Sequence, residues 1–286
     1  MLTDLARLVV PVACPGCRLP DVRWCAPCAA AVLGRPRRVE QHAGRLDLLD
    51  GVAPLPTWAA TAYVAGVRDV VVAWKDRGRV DLDPLLVAAV QGAARSAAPL
   101  LREAVRAPVR APDRGPARGP AQGSARGPGD GPVVRGSVVV VPVPSTGAAA
   151  RRRGRDPVRV LARGVAGGLV AAGVRAEVGA MLRRRGAARD QVGLGARARG
   201  RNLDAAIAVR RRCLEAAGRR RAVVLVDDVL TTGATLAAAE RALVRAGADV
   251  LGAVVLAATP PPGTPHEIFA TGAAPAVHRA DTFGLG

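Results

Sequence analysis

The sequence has few aromatic residues and no long uninterrupted hydrophobic run. Aromatic residues make up only 2% of the 286 residues, although 50% of the residues are hydrophobic. The core must therefore be built from Ala, Val and Leu. No apolar run approaches the roughly 18 residues of a membrane-spanning helix, which argues against an integral membrane protein. The length predicts one to two domains with a sizeable core.

Lysine is almost absent, because Lys75 is the only one in the chain. The formal net charge of +19 therefore comes almost entirely from arginine. This sign of charge favours polyanionic partners, such as nucleic acid, phosphorylated metabolites or an anionic membrane surface. However, abundant Arg, Ala, Gly, Val and Pro are also typical of codon usage rich in G and C. The net charge alone therefore selects no partner.

The N-terminal residues bear a superficial likeness to a short signal that ends in a lipid-attachment cysteine, Cys14. However, Asp4 precedes every basic residue, and the apolar stretch is short. Cys14 also has a partner cysteine three residues later. We therefore predict a cytoplasmic protein without a targeting segment.

Four of the five cysteines form two Cys-x-x-Cys pairs separated by seven residues: Cys14, Cys17, Cys25 and Cys28. Each pair can turn both sulfurs toward one point, and four thiolates suit a tetrahedral zinc ion. All four positions would be filled, so the site would be structural. The alternative is a redox pair, which needs only one Cys-x-x-Cys motif. Cys213 stands alone and is interpreted as an ordinary thiol.

Composition divides the chain. We predict a zinc-ribbon-like module at 1–35, a linker at 36–52, a main domain at 53–262 and a tail at 263–286. Within the main domain, 13 of the 30 residues of segment 107–136 are Gly or Pro, and Arg-Gly-Pro occurs three times. Such a segment cannot bury enough surface to offset its ordering entropy, so we predict a disordered insertion.

Apolar strands alternate with helices in the main domain. Strands are predicted at 57–65, 138–141, 177–182, 206–209, 222–226 and 249–258. Helices are predicted at 67–74, 82–105, 157–172 and 235–246. Continuous apolar strands that alternate with helices indicate a parallel sheet covered on both faces. The predicted fold class is therefore α/β, with helices flanking a parallel sheet.

The strongest chemical signal is the twelve-residue run 224–235, which reads strand, tight turn and helix. Asp227 and Asp228 are predicted at the carboxyl end of the strand, where ligands bind in such sheets. Their carboxylates suit ribose hydroxyls or a hydrated Mg²⁺ ion. Residues 231–235 then enter a helix N-terminus, whose N–H groups and hydroxyls can hold a phosphate. Carboxylates for a sugar beside a phosphate cradle describe a ribose 5-phosphate.

The run resembles the phosphoribosyl pyrophosphate (PRPP) motif of type I phosphoribosyltransferases. With the cysteine module, Lys75-Asp76-Arg77-Gly78 and Val141-Pro142-Val143-Pro144 in the same order, the chain is similar to the ComF/GntX family. Gln191, Leu194, Arg199 and Asn202 also resemble a pattern of that family. The resemblance covers most of residues 12–258. It implies a type I phosphoribosyltransferase-like sheet domain with a small N-terminal four-cysteine module.

The resemblance also implies roles for individual residues. Asp227 and Asp228 would contact the ribose hydroxyls, and Lys75 would face pyrophosphate. The 5-phosphate loop would consist of Thr231, Thr232, Gly233, Ala234 and Thr235. Pyrophosphate would contact Pro144, Ser145 and Thr146. The four cysteines would hold zinc, and Mg²⁺ would accompany PRPP.

The chain departs from the family beside the expected acceptor region. Where the family often has Arg-Gly-Phe-Asn-Gln, this chain has Arg153-Gly154-Arg155-Asp156-Pro157, and Ala188 stands where a Thr is common. Some type I enzymes also carry an Asp at the position of Thr231 that acts as a base toward the nucleobase. Threonine cannot do this, which argues against purine salvage.

Three functions stay open at this stage. The first is a Mg²⁺-dependent phosphoribosyltransferase or PRPP-binding protein with an unknown acceptor. The second is a non-catalytic PRPP sensor or an accessory factor in DNA uptake, in contact with single-stranded DNA or a DNA-translocating partner. The third is a zinc-ribbon nucleic-acid binder on a degenerate sheet scaffold.

Overall fold

The computed structural model describes residues 12–44, 46, 53–107, 136–144, 155–185, 207–210 and 221–261. The helices are α1 (Ala26–Leu33), α2 (Ala65–Asp76), α3 (Asp83–Arg106), α4 (Pro157–Ala171) and α5 (Ala234–Arg245). The strands are β1 (Arg37–Arg38), β2 (Thr57–Ala62), β3 (Val138–Pro142), β4 (Ala176–Val178), β5 (Leu182–Arg184), β6 (Ile207–Val209), β7 (Ala222–Leu230) and β8 (Asp249–Ala258). Two short 3₁₀ turns lie at Glu40–His42 and Val80–Leu82.

Six strands form one sheet in the order β1-β2-β8-β7-β3-β4. All neighbours are parallel except β1, which runs antiparallel to β2 at the edge. Strands β5 and β6 form a separate antiparallel pair. The described part of the chain thus confirms the predicted α/β class with a mostly parallel sheet flanked by helices.

The alternation of side chains along the central strand β7 creates two cores. Val224 and Val226 belong to the larger cluster, which also contains the buried faces of α2, α3 and α4. Val223 and Leu225 belong to the second cluster, with the buried face of α5 and residues of the β5–β6 pair. Because successive strand residues point to opposite faces, one continuous apolar run covers both sides of the sheet.

The strand predicted at 177–182 is instead two short strands. Gly179 separates them, and its N–H donates to the carbonyl of Val140 at 3.0 Å. A Cβ at Gly179 would lie 2.5 Å from Cγ1 of Val139. The chain therefore passes tightly against β3 at this glycine and then leaves the main sheet to form β5.

The segment predicted as a linker, 36–52, is packed against the sheet in its described part. Arg37–Arg38 pairs with β2 as an edge strand. Val39, Ala43 and Leu46 are buried in the second core cluster. The apolar side chains of these residues cover one face of the sheet. The predicted boundaries stay predictions, and residues 108–135 and 262–286 lie outside the described residues.

One segment of the described chain, Val80–Arg106, is long and apolar enough to cross a membrane by length and composition. Half of its apolar window is buried inside the protein. The buried residues of α3 contribute to the larger core cluster. A helix in the core of a domain passes the same test, so the segment is weak support for a membrane span.

Candidate functional site

A cavity of about 490 Å³ opens beside the carboxyl end of the sheet. It is lined by Tyr63, Val71, Val72, Lys75, Asp76, Val143, Pro144, Arg184, Asp227, Asp228, Val229, Thr231 and Thr235. Residues from β7, from the loop before α5, from α2 and from the end of β3 thus face one space. These sets were predicted separately from the sequence, and the fold brings them together.

The cavity arises from unequal strand lengths. Strand β3 ends at Pro142, which pairs with Val226. Strand β7 continues to Leu230. It pairs with β8 along its length, up to the register Leu230↔Ala258. The flank of β7 that faces β3 is therefore uncovered from Asp227 onward. The strand was predicted to end at residue 226 with the carboxylate pair at that end, whereas in the structure Asp227 and Asp228 lie inside the strand, three and two residues before Leu230.

The two carboxylates leave the strand on opposite faces of the sheet, because neighbouring strand residues alternate. Asp228 is 5% exposed, and its Oδ2 atom lies 2.5 Å from Nζ of Lys75. Asp227 is half-buried, and its Oδ1 accepts a hydrogen bond from the N–H of Asp228 at 2.8 Å. The pair can therefore present oxygen atoms from both faces of one strand to the cavity.

Burial and the neighbouring charge of Asp228 raise the pKa of Asp227 to about 7. The N–H of Asp228 and the positive charges of Lys75 and Arg184 act in the opposite direction and lower that pKa. Burial prevails because it removes water from the carboxylate. Near neutral pH, the protonated and ionised forms of Asp227 are thus both populated, and a bound cation would favour the ionised form.

The predicted phosphate loop enters α5 through Gly233, which has a left-handed φ of 81°. No side chain caps the helix, although the N–H of Ala234 lies 3.4 Å from Oγ1 of Thr232. A Cβ at Gly233 would lie 2.7 Å from Cγ of Leu46. The glycine was predicted to let a ligand approach the backbone, whereas in the structure it also makes room for Leu46. Thr231 and Thr235 line the cavity.

The predicted pyrophosphate segment is described only in part. Pro144 lines the cavity, and its carbonyl accepts a hydrogen bond from Nε of Arg184 at 3.2 Å. Ser145 and Thr146 lie outside the described residues, as do the motif residues Gln191, Leu194, Arg199 and Asn202.

Sequence analysis missed Arg184 and Tyr63. Arg184 ends β5 and reaches the cavity from the separate β5–β6 pair, so only tertiary structure reveals it. Tyr63 directly follows the carboxyl end of β2. The signal that could have identified Tyr63 is its position, since the chain's only tyrosine lies near the carboxyl end of the strand predicted at 57–65, where ligands bind in parallel sheets.

A second network lies next to the cavity, at the junction of α2 and α3. Oδ1 of Asp83 accepts hydrogen bonds from Nε1 of Trp74 and from the guanidinium of Arg155, each at 2.6 Å. The guanidinium also lies over the Trp74 ring, 5.6 Å from its centroid. Arg155, one of the residues that depart from the family pattern, thus attaches the chain before α4 to the helix that carries Lys75.

The four predicted metal ligands converge in one group, with all their sulfur atoms within 4.8 Å of one another. The sulfur of Cys25 lies 3.8 Å from that of Cys14 and 3.4 Å from that of Cys17. A zinc ion with bonds of about 2.3 Å requires sulfur separations near 3.8 Å in a tetrahedron. The geometry of the group therefore fits a structural zinc ion.

Burial opposes ionisation of Cys14, but backbone N–H groups of Cys17, Cys25 and Gly16 donate to its sulfur and lower its pKa to about 6. Burial and the neighbouring sulfurs instead raise the pKa of Cys28. Negative charge is therefore unevenly distributed in the cluster: ionisation is favoured at Cys14 and disfavoured at Cys28. A cation would favour the thiolate at each position.

Arg79 connects the cysteine module to the sheet domain through hydrogen bonds and an ion pair. Its guanidinium donates to the carbonyls of Ala13 at 3.2 Å and Arg23 at 3.0 Å, and it pairs with Asp81 at 2.8 Å. The hydrogen bonds and charge of Asp81 raise the pKa of Arg79, so the side chain stays cationic. These contacts place the backbone around the first Cys-x-x-Cys pair against the start of α3.

These features define a mostly parallel α/β protein with a carboxylate pair and a helix-entry loop in one cavity. A model of the phosphoribosyl transferase domain family matches residues 198–271. The matched stretch, about a quarter of the chain, includes Asp227, Asp228 and the predicted phosphate loop.

Two curated relatives share a short stretch with the chain. Adenine phosphoribosyltransferase of Mycolicibacterium vanbaalenii is 60% identical over 43 residues, which is 15% of this chain and 24% of that protein. Adenine phosphoribosyltransferase of Mycolicibacterium gilvum is 60% identical over 43 residues, 15% of this chain and 23% of that protein. The chain thus spans about a quarter of the length of these relatives.

Proposed function

We propose that the protein is a Mg²⁺-dependent PRPP-binding protein of phosphoribosyltransferase type. The observation that carries this proposal is the shared cavity of Asp227, Asp228 and the 231–235 loop. A ribose 5-phosphate needs acceptors for its hydroxyls and donors for its phosphate within one molecule's length. Both are present here, and the matching domain family supports the same class of ligand.

The residues of the cavity suggest how PRPP would be held. The carboxylates of Asp227 and Asp228 would accept hydrogen bonds from the ribose hydroxyls. N–H groups at the start of α5 and the hydroxyls of Thr231 and Thr235 would donate to the 5-phosphate. The side chains of Lys75 and Arg184 supply positive charge in the same cavity, where a departing diphosphate would need it.

The carboxylates also fit a magnesium site. Asp228 is buried, and Oδ2 accepts no hydrogen bond from any described residue beyond the ion pair with Lys75. Carboxylate oxygens are the ligands that a hydrated Mg²⁺ ion prefers, together with substrate oxygens. When bound, Mg²⁺ would neutralise charge on the diphosphate. The chain's part is to position the sugar and its phosphate.

For the N-terminal module we propose structural zinc. All four sulfurs converge, so no coordination position is left for a reacting water. A cation would also relieve the crowding of thiolates. The module would then stabilise the edge of the domain without taking part in chemistry.

A calorimetric titration with PRPP, with and without Mg²⁺, tests the proposal. We expect saturable binding that depends on Mg²⁺ in the wild type, and at least tenfold weaker binding for Asp228→Asn. Asp249→Asn is the matched control, because Asp249 begins β8 and pairs with Ala222 at the opposite end of the sheet. Unchanged affinity of Asp228→Asn would overturn the assignment of the site.

The acceptor and the biological setting are finer parts of the proposal. The names of the two curated relatives specify adenine as their acceptor, but Thr231 lacks the carboxylate that would serve as a base toward a purine. We therefore propose an acceptor other than a purine base, in a cytoplasmic protein of ComF type, with a role in DNA uptake or nucleotide metabolism. Release of pyrophosphate in the presence of candidate acceptors would separate an enzyme from a PRPP sensor.

A DNA-binding accessory role is the alternative from the sequence. It predicts a steep dependence of single-stranded DNA affinity on salt, together with a defined site size. Weak binding without a site size would reflect only the arginine content.

A further inference from the structure

The only lysine of the chain faces a carboxylate that the proposed function assigns to the sugar. Lys75 is in the last turn of α2, and its Nζ atom reaches 2.5 Å from Oδ2 of Asp228. The family resemblance implies that this lysine faces pyrophosphate. In the structure its ammonium occupies Oδ2 of Asp228, one of the oxygens that a bound cation would need.

The carboxylate of the ion pair is buried, and the ammonium is partly buried. The side chain of Asp228 is 6% exposed, and that of Lys75 is 30% exposed. Val71 and Val72, on the same helix as Lys75, line the same cavity and place apolar surface beside the pair. A charge pair in such surroundings is screened less than one at the surface. The ammonium therefore holds a substantial part of the attraction that the carboxylate could offer to another cation.

We propose that Lys75 is a specificity-determining residue, a resident cation that keeps free divalent metal ions off the Asp227–Asp228 pair. A metal ion would enter only with a sugar phosphate whose own contacts in the cavity compensate for displacing the lysine. The displaced ammonium stays in the cavity, where a diphosphate is a suitable partner for it. This ordering rests on the proposed function, because a ribose phosphate is the ligand expected to displace the lysine.

The charge balance supports this reading. When both carboxylates are ionised, they and the Lys75 ammonium together carry a net charge of −1. Removing the ammonium leaves the pair with a net charge of −2 when both carboxylates are ionised, while the opposite charges of Asp76 and Arg184, which also line the cavity of about 490 Å³, balance each other. Attraction to a divalent cation scales with that charge. The variant without the ammonium should therefore bind metal that the wild type rejects.

The experiment uses Mn²⁺ alone as the probe, with free Mn²⁺ measured by electron paramagnetic resonance at pH 8 on zinc-loaded protein. We expect Lys75→Met to bind one additional Mn²⁺ ion at least tenfold more tightly than the wild type does. Lys75→Arg, which retains the positive charge, should resemble the wild type. The double variant Lys75→Met with Asp228→Asn should lose the gained binding.

Arg68→Met is the matched control for charge. Arg68 is exposed and lies two turns earlier on α2, so its replacement removes the same charge from the same helix. Equal Mn²⁺ affinities of Lys75→Met and the wild type, or an equal gain in Arg68→Met, would overturn the proposal. If Lys75→Met fails to fold, Lys75→Gln gives the same comparison, and thermal melting verifies each variant.

A second arm separates this proposal from the proposed function. The wild type is titrated with PRPP and Mg²⁺, while the Mn²⁺ arm contains no PRPP. If Lys75→Met gains Mn²⁺ binding but the wild type does not bind PRPP, the role of Lys75 as a resident cation is supported, and PRPP is not the ligand that displaces it. If the wild type binds PRPP but Lys75→Met gains no Mn²⁺ binding, the proposed function is supported and the role of Lys75 is overturned.

Discussion

Gly233 and Gly247 have almost the same left-handed backbone, with φ of 81° and 84°, but different surroundings. A Cβ at Gly233 would lie 2.7 Å from Cγ of Leu46, whereas a Cβ at Gly247 would meet nothing within 4 Å. The two positions therefore separate backbone strain from steric crowding. They also show that the fold itself requires the glycine of the predicted phosphate loop, independently of any ligand.

We expect Gly247→Ala to lower the free energy of unfolding by about 1 kcal/mol, the cost of a left-handed alanine. Gly233→Ala should lower it by about 2–4 kcal/mol, because crowding adds to the same strain. Chemical denaturation of both variants measures the difference. In a background of Leu46→Ala, the Gly233→Ala change should lower the free energy of unfolding by less than it does in the wild type. Equal losses of stability for Gly233→Ala and Gly247→Ala would contradict the contact with Leu46.

The raised pKa of Asp227 also gives a prediction for stability. The folded protein retains this proton up to about pH 7, whereas the unfolded chain releases it near its ordinary value of 3.8. The folded state thus binds more protons between these values, so stability falls as the pH rises through this window and then levels off. Asp227→Asn should remove this fall, which we expect to reach a few kcal/mol. Thermal melts of both proteins at pH 5 and pH 8 give the comparison.

At the scale of elements, the sequence predicts most of the sheet but not its edges. The run of Val and Leu in β7 and β8 predicts buried strands because few other structures bury every residue in succession. It does not predict that β7 passes through the acidic pair to Leu230, since two adjacent aspartates are poor strand formers. Pairing with β8 on one side, in register through Ala258, overrides that preference.

The edge of the sheet could not be predicted for a related reason. Arg37–Arg38 forms the edge strand β1 although its composition is typical of a linker. Arg38 packs over the ring of Trp58, 4.9 Å from its centroid, and also pairs with Glu40. Oε2 of Glu40 accepts a hydrogen bond from the N–H of Thr57. The contacts of Arg38 with Trp58 and of Glu40 with Thr57 join residues far apart in sequence, so no local pattern encodes them.

The cysteine module is coupled to the sheet domain through α1. Val32 of α1 is buried in the larger core cluster, and the carbonyl of Ala31 accepts a hydrogen bond from Oγ1 of Thr61 at 2.8 Å. Loss of the metal should therefore weaken the domain as well as the module. We expect chelation to lower the melting temperature while leaving a single cooperative transition.

Matched cysteine variants make that measurement specific. Cys28→Ser should reduce the bound zinc and lower the melting temperature as chelation does, because it removes one of four ligands. Cys213→Ser is the control, since Cys213 belongs to neither Cys-x-x-Cys pair. Two separate melting transitions after chelation would contradict the coupling through α1, and an unchanged melt would contradict a metal-dependent module.

For the whole molecule, the main question is whether segment 107–136 takes part in function. Helix α3 ends at Arg106, and β3 begins at Val138 on the same sheet domain. The segment therefore connects two elements whose packing is fixed by other contacts, since α3 packs on α4 and β3 on β7. Loop length contributes only slowly to the entropy of closure, so a shorter connection is tolerated if it spans the gap.

We expect replacement of residues 108–135 by a flexible Gly-Ser linker to leave the melting temperature and Mg²⁺-PRPP affinity unchanged. The segment replaced holds five arginines and two aspartates. If the protein binds single-stranded DNA through this segment, the replaced form should show a shallower dependence of log affinity on log salt, because fewer phosphates are neutralised. Unchanged PRPP binding with lost DNA binding would assign two ligands to two regions of one chain. Loss of PRPP binding would instead show that the segment completes the cavity.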